Sequence, residues 1–186
     1  MEINLGNTEI VIVAAQNNFR DEELFVPENM FSAAGAYVLI ASNEDDEPMM
    51  GMVGGSARAN IEIEDIDVDG LDALVIAGGT GSIEYLWDDE KLRNKVRKAY
   101  DKGKIIGAIC LSGVVLARAG ILEGKRATVC PTAETMHEFK RHKAEYVDNG
   151  VVVTGRIVTA QGPFNVYDFA TAILDLIKAE VVPAKH

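Results

Sequence analysis

The sequence predicts an α/β sandwich around a mainly parallel sheet. Three observations carry this: short β-branched runs that are apolar at every position, helical patterns alternating with them, and a closing segment with an unbroken helical stripe. Strands apolar throughout suit a sheet covered on both faces, and alternation with helices supplies the crossover connections that parallel strands need.

The elements follow in order. Ile10-Val11-Ile12-Val13-Ala14 reads as the first buried strand. Leu24 to Ala34 reads as a helix, with Val26, Met30 and Ala34 on one face, Pro27 in a tolerant first turn and Gly35 as the stop. Tyr37 to Ala41 and Ala73 to Ala77 are strands; between them Asn43 to Ala59, acidic and then rich in Gly and Met, reads as a long loop or small hairpin. A helix from about Ile83 to Tyr100 places Leu92, Val96 and Ala99 on one side. Lys104 to Ile109 is the next strand and runs straight into Cys110, with a helix over Ser112 to Ala119 behind it. Ala133 to Arg141 reads as a polar helix. Val151 to Thr154 and Ile157 to Ala160 flank Gly155-Arg156 as a hairpin. In the last helix Val166, Phe169, Ala170, Ile173, Leu174 and Ile177 keep one face. Sites in such sheets form at the carboxyl ends of strands, so chemistry is expected just after Ala14, Ala77 and Ile109.

Composition narrows the function classes. The 186 residues fit one domain, 1–186, and 48% hydrophobic with 25% charged residues argues for a folded chain. Eighteen Lys and Arg against 29 Asp and Glu leave a net charge of −11, which argues against a partner bound through phosphates, so no nucleic acid is expected. The longest stretch free of charged side chains, Asn29 to Asn43, falls short of the roughly 18 apolar residues of a membrane span. Met1-Glu2-Ile3-Asn4 lacks the basic start of a signal peptide, and two cysteines cannot build a disulfide scaffold; the expected location is cytoplasmic.

Three segments at the predicted strand ends could carry chemistry. Cys110, in Ala108-Ile109-Cys110-Leu111-Ser112-Gly113, stands where a strand turns into a helix; main-chain N–H groups there favour a thiolate and can receive an oxyanion. Its plain reading is a small buried hydrophobe. Gly78-Gly79-Thr80-Gly81 lets the backbone approach a ligand, but Glu84 occupies the last position of a G-x-G-x-x-G count and no Walker loop is present. Phe19-Arg20-Asp21-Glu22-Glu23-Leu24 places acids at a helix start, where they suit the dipole; one turned toward Cys110 would bond the thiol, its own pKa raised by burial.

The acid, the Gly-Gly turn and Ala-Ile-Cys, in this order, resemble the PfpI-type intracellular protease family. Its superfamily includes the Parkinson-linked protein deglycase, glyoxalase III-type enzymes, heat-shock chaperones and class I glutamine amidotransferase-like domains. The resemblance runs from Ile10 to about Ile177 and implies a flavodoxin-like three-layer sandwich with the cysteine on a nucleophile elbow. It implies Cys110 as nucleophile, Glu23 as its acid with Glu22 as the register alternative, and the N–H groups of Gly79 and Leu111 as the oxyanion site. Arg58 falls near a pocket arginine of some members. Glu84 lies one residue out of register with an acid that protease-type members send into a neighbour's site. A homodimer, in some members a higher oligomer, is implied as well.

The chain departs from the pattern at both imidazoles. Leu111 follows the nucleophile where protease-type members carry His, and Thr128-Val129-Cys130-Pro131 puts Cys130 where deglycase-type members carry another. His137 and His142 fall on the polar helix and read as surface residues; His186 ends the chain. No metal-ligand spacing occurs, so no metal and no cofactor are expected. Cys130 reads as an inert pocket thiol, with resolution of a Cys110 sulfenate as the open alternative. The expected function is glyoxalase III- or deglycase-like action on α-oxoaldehydes through Cys110 and Glu23. The alternatives are peptide or amide hydrolysis, which lacks a positioned acid for the leaving amine, and a redox sensor or holdase chaperone without turnover.

Overall fold

The computed structural model describes residues 5–181; residues 1–4 and His186 lie outside them. The elements are β1 (Glu9–Val13), β2 (Asn17–Phe19), α1 (Asp21–Ala33), β3 (Tyr37–Ser42), β4 (Pro48–Gly51), β5 (Ser56–Arg58), β6 (Ile61–Glu62), β7 (Ala73–Ile76), α2 (Gly81–Tyr85) and α3 (Glu90–Asp101). Then come β8 (Ile105–Ile109), α4 (Gly113–Arg118), β9 (Arg126–Ala127), α5 (Ala133–Arg141), β10 (Glu145–Tyr146), β11 (Val151–Thr154), β12 (Ile157–Ala160) and α6 (Val166–Val181). The main sheet has the order β11-β12-β8-β7-β1-β3-β6. Every neighbouring pair in it is parallel except the β11–β12 hairpin.

The alternation of β1 and β7 side chains explains the three layers. Val11, Val13, Leu74 and Ile76 face a core shared with Leu92 and Val96 of α3, Val114 of α4 and Phe139 of α5. Ile10, Ile12, Ala73 and Val75 face the opposite core, closed by Leu24 and Phe31 of α1 and by Phe169, Ile173 and Ile177 of α6. The fold is thus the flavodoxin-like α/β sandwich expected. Helix α6 approaches β8 closely at Gly107, where a Cβ would lie 2.7 Å from Ile173 Cδ1.

Two expectations change, and a third narrows to one of its alternatives. The helix read from Ile83 to Tyr100 is two helices, because Asp89 caps a fresh start by accepting the Leu92 N–H at 3.0 Å. The first helix begins at Asp21, three residues earlier than read, so Pro27 sits in its interior and not in its first turn. The segment Asn43 to Ala59 resolves as the antiparallel β4–β5 hairpin, which joins β2 in a small second sheet.

Candidate active site

Strands β1, β7 and β8 are adjacent and parallel, so the segments that follow them meet at one edge of the sheet. Strand β8 ends at Ile109 and the chain tightens into a 3-10 turn over Cys110–Ser112. Cys110 takes φ +61°, a left-handed conformation that costs a non-glycine residue about 1 kcal/mol or more.

Buried polar contacts hold that turn. Ser112 Oγ donates to the Ala77 carbonyl at 2.6 Å and pairs with Ser82 Oγ at 2.8 Å. The Trp87 indole N–H donates to the Leu111 carbonyl at 2.9 Å. Sequence reasoning missed Ser82, Ser112 and Trp87. Only the short spacing of Ser112 from Cys110 hinted at them.

The glycines after β7 are there for space. A Cβ on Gly78 would stand 2.4 Å from Glu23 Oε2 and 2.6 Å from Cys110 Cβ, so these two side chains flank the same point. Gly79 has φ +106°, and a Cβ on it would meet the Arg20 nitrogen and the Asn18 oxygen at 2.4 Å each. Its neighbour is tied down where the Arg20 N–H donates to the Gly78 carbonyl at 2.9 Å. This loop and the start of α1 are therefore pressed together, and α1 delivers Glu23 beside the cysteine.

Glu23 is fully buried. Its Oε2 accepts the Gly78 N–H at 2.9 Å, while Oε1 has no hydrogen-bond partner. Burial pushes its pKa up to about 7 against the pull of the Gly78 N–H, the Cys110 thiol and the Arg20 cation. Burial also raises the Cys110 thiol, aided by the Glu23 carboxylate and the neighbouring Cys130 sulfur, while the N–H groups of Gly79 and Leu111 oppose the rise. The resting pair is consequently a thiol beside a carboxyl that titrates near neutrality. Such a pair can pass the thiol proton to the carboxylate as the sulfur attacks.

The other expected residues divide. Glu22 is not the inward acid: it takes Arg20 in a two-pronged ion pair at 2.7 and 3.0 Å, and this bond lowers its pKa. Arg20, which sequence reasoning passed over, is thereby held close enough for its charge to act on both Glu23 and Cys110. Cys130 lies beside the nucleophile, its N–H donating to the Cys110 carbonyl at 3.3 Å. Arg58 does not join this group; it is exposed on β5, and its guanidinium donates to the Asp46 carbonyl at 2.7 Å. Glu84 is exposed on α2. His137 is exposed on α5 and His142 leans on Glu138 at 3.5 Å, so neither hydrogen-bonds the cysteine.

The DJ-1/PfpI family model matches residues 8–176, which include every part of this constellation. The chain belongs to the DJ-1/PfpI family. An uncharacterised protein of Methanocaldococcus jannaschii is 45% identical over 177 residues, covering 95% of this chain and 84% of that one. The protein named deglycase PfpI in Pyrococcus furiosus is 29% identical over 168 residues, 90% of this chain and 99% of that one. Among solved structures, a ThiJ/PfpI domain protein of Brachyspira murdochii superposes with a TM-score of 0.87 at 31% identity, covering 94% of this chain and 99% of that one. Among the described residues no helix is long and apolar enough to cross a membrane.

Proposed function

We propose that this DJ-1/PfpI protein is a cysteine-dependent enzyme that converts small α-oxoaldehydes to hydroxy acids by glyoxalase III- or deglycase-like chemistry. The observation that carries the reading is the fully buried Glu23, its pKa about 7, flanking the same point as the elbow cysteine. Cys110 Sγ bonds to the aldehyde carbon while its proton passes to the Glu23 carboxylate. The former carbonyl oxygen, now negative, rests on the N–H groups of Gly79 and Leu111. The hydrogen on that carbon then moves as a proton to its neighbour through an enediol, which leaves a thioester on Cys110. Water cleaves the thioester to the hydroxy acid and returns the thiol. No imidazole is required, because one carboxyl with a neutral-range pKa serves as acid and base.

Peptide hydrolysis has less support. It must expel an amine, and the residue after the nucleophile is the apolar Leu111, so no second acid stands at that position. The reading includes a homodimer as the working form and a cytoplasmic location, where the two thiols stay reduced. Lactate formation from methylglyoxal, compared between the protein and its Cys110→Ala variant, is the test. Turnover that vanishes in the variant supports the assignment, and turnover equal in both defeats it.

A further inference from the structure

Cys110 and Cys130 stand on different segments, 20 positions apart in the sequence, yet they touch through the main chain. The Cys130 N–H donates to the Cys110 carbonyl at 3.3 Å. That bond holds the two main chains within hydrogen-bonding distance of each other, and a disulfide needs Cα atoms roughly 4.4–6.8 Å apart. Both cysteines are free thiols, both are half-buried, and both pack against the same hydrophobic core. The Cys130 sulfur lies close enough to Cys110 to help raise its thiol.

Each is also held firmly. The Cys130 carbonyl accepts the Thr132 N–H at 2.9 Å and the Thr135 hydroxyl at 2.5 Å. Cys110 is fixed by the elbow and its serine and indole contacts. The two segments need no large approach to be bridged, which removes the main physical objection to a bond between them. The aldehyde chemistry proposed above uses Cys110 alone and leaves Cys130 without a task.

We propose that Cys110 and Cys130 form a dithiol couple that reduces hydroperoxides, with Cys110 as the attacking thiol and Cys130 as the resolving one. The Cys110 sulfur attacks the distal oxygen of the hydroperoxide and the O–O bond breaks. The thiol proton, carried by Glu23, goes to the departing alkoxide or hydroxide. Cys110 becomes a sulfenic acid, oxidised by two electrons, and the hydroperoxide becomes an alcohol or water. The Cys130 sulfur then attacks the sulfenic sulfur, a disulfide forms and water leaves. A dithiol reductant returns both thiols. This inference does not depend on the aldehyde reading, since peroxide needs neither the enediol step nor the oxyanion site.

The experiment treats the reduced full-length protein with one equivalent of hydrogen peroxide, alkylates remaining thiols, and measures intact mass and the non-reducing peptide map. The expected result is loss of two hydrogens, both thiols unreactive to iodoacetamide, and a peptide pair joining Cys110 to Cys130 that dithiothreitol separates. The Cys130→Ser variant is expected to gain oxygen on Cys110 instead. Oxygen added to Cys110 in the unaltered protein while Cys130 still alkylates overturns the proposal, as does a disulfide linking two copies of the chain. The unaltered protein alone suffices if the variant does not fold. Lactate formation from methylglyoxal, measured on the reduced sample beforehand, separates failure here from failure of the aldehyde reading.

Discussion

Glu23 opposes stability in order to be useful. Its carboxyl is fully buried with one oxygen unpartnered, and the fold tolerates it by keeping the proton on up to about pH 7. Between the ordinary carboxylate range near 4.5 and that value the folded chain holds a proton which the unfolded chain has released. Its contribution is therefore fully present below about pH 4.5 and is lost as pH rises toward 7, a decline of about 3 kcal/mol at most. Glu23→Gln removes the charge, so its melting temperature should exceed that of the unaltered protein at pH 8, with the gap closing at pH 5; scanning calorimetry at both values decides. The same variant should lose about 10²–10⁴-fold in kcat/KM toward methylglyoxal. In the unaltered protein kcat/KM should rise with pH through an inflection near 7, as the carboxylate that accepts the thiol proton forms, and Glu23→Gln should lack that inflection. A pH profile unchanged by the substitution would show that another group sets it.

At the scale of elements, the site depends on how the turn after β8 is fastened to the loop after β7. Ser112 bridges them, with its hydroxyl on the Ala77 carbonyl and against Ser82, and all three residues are buried. Ser112→Ala strands a carbonyl and a hydroxyl in the core, at about 1–3 kcal/mol of folding stability read from urea denaturation. The turn that aims the Gly79 and Leu111 N–H groups loosens with it, so kcat should fall several-fold while KM moves little. A loss of stability with kcat intact would reduce Ser112 to a packing role. Neither serine was legible beforehand, because a buried hydroxyl pair leaves no periodic pattern and its partners lie about 30 positions away. Cys110, Glu23 and the Gly78-Gly79 turn were legible for the opposite reason. Each sits within a few residues of a strand end, and a run of β-branched residues marks a strand end locally. Arg58 was misplaced because the hairpin that carries it has no such marker; only its pairing with β2 sets its position.

For the whole molecule, the layered sheet was readable because β1, β7 and β8 are buried on both faces and so write their strands as continuous apolar runs. The break between α2 and α3 was not, since Leu92, Val96 and Ala99 keep one helical face and mask the cap at Asp89. The homodimer of the proposed reading would leave its trace in what the surface exposes. Phe164 is fully exposed and Tyr167 is 65% exposed at the start of α6, while Met50, Met52 and Val53 are exposed at the tip of the β4–β5 hairpin. That tip borders the site, because the Met52 N–H donates to the Phe19 carbonyl at 2.9 Å, one residue before Arg20. Apolar residues gathered at a protruding tip fit a self-complementary contact between two copies. Light scattering after size exclusion should return twice the chain mass of 20.1 kDa. The double variant Met52→Glu, Val53→Glu should return the single chain, since it sets two like charges across a two-fold axis on a molecule already at −11. Because the hairpin also hydrogen-bonds the carboxylate of Asp21 in α1 through the N–H groups of Val53 and Gly55, at 3.0 and 2.6 Å, splitting the dimer should lower turnover as well as mass. A single-chain mass for the unaltered protein would refute the dimer, and unchanged turnover in a monomeric variant would separate assembly from catalysis.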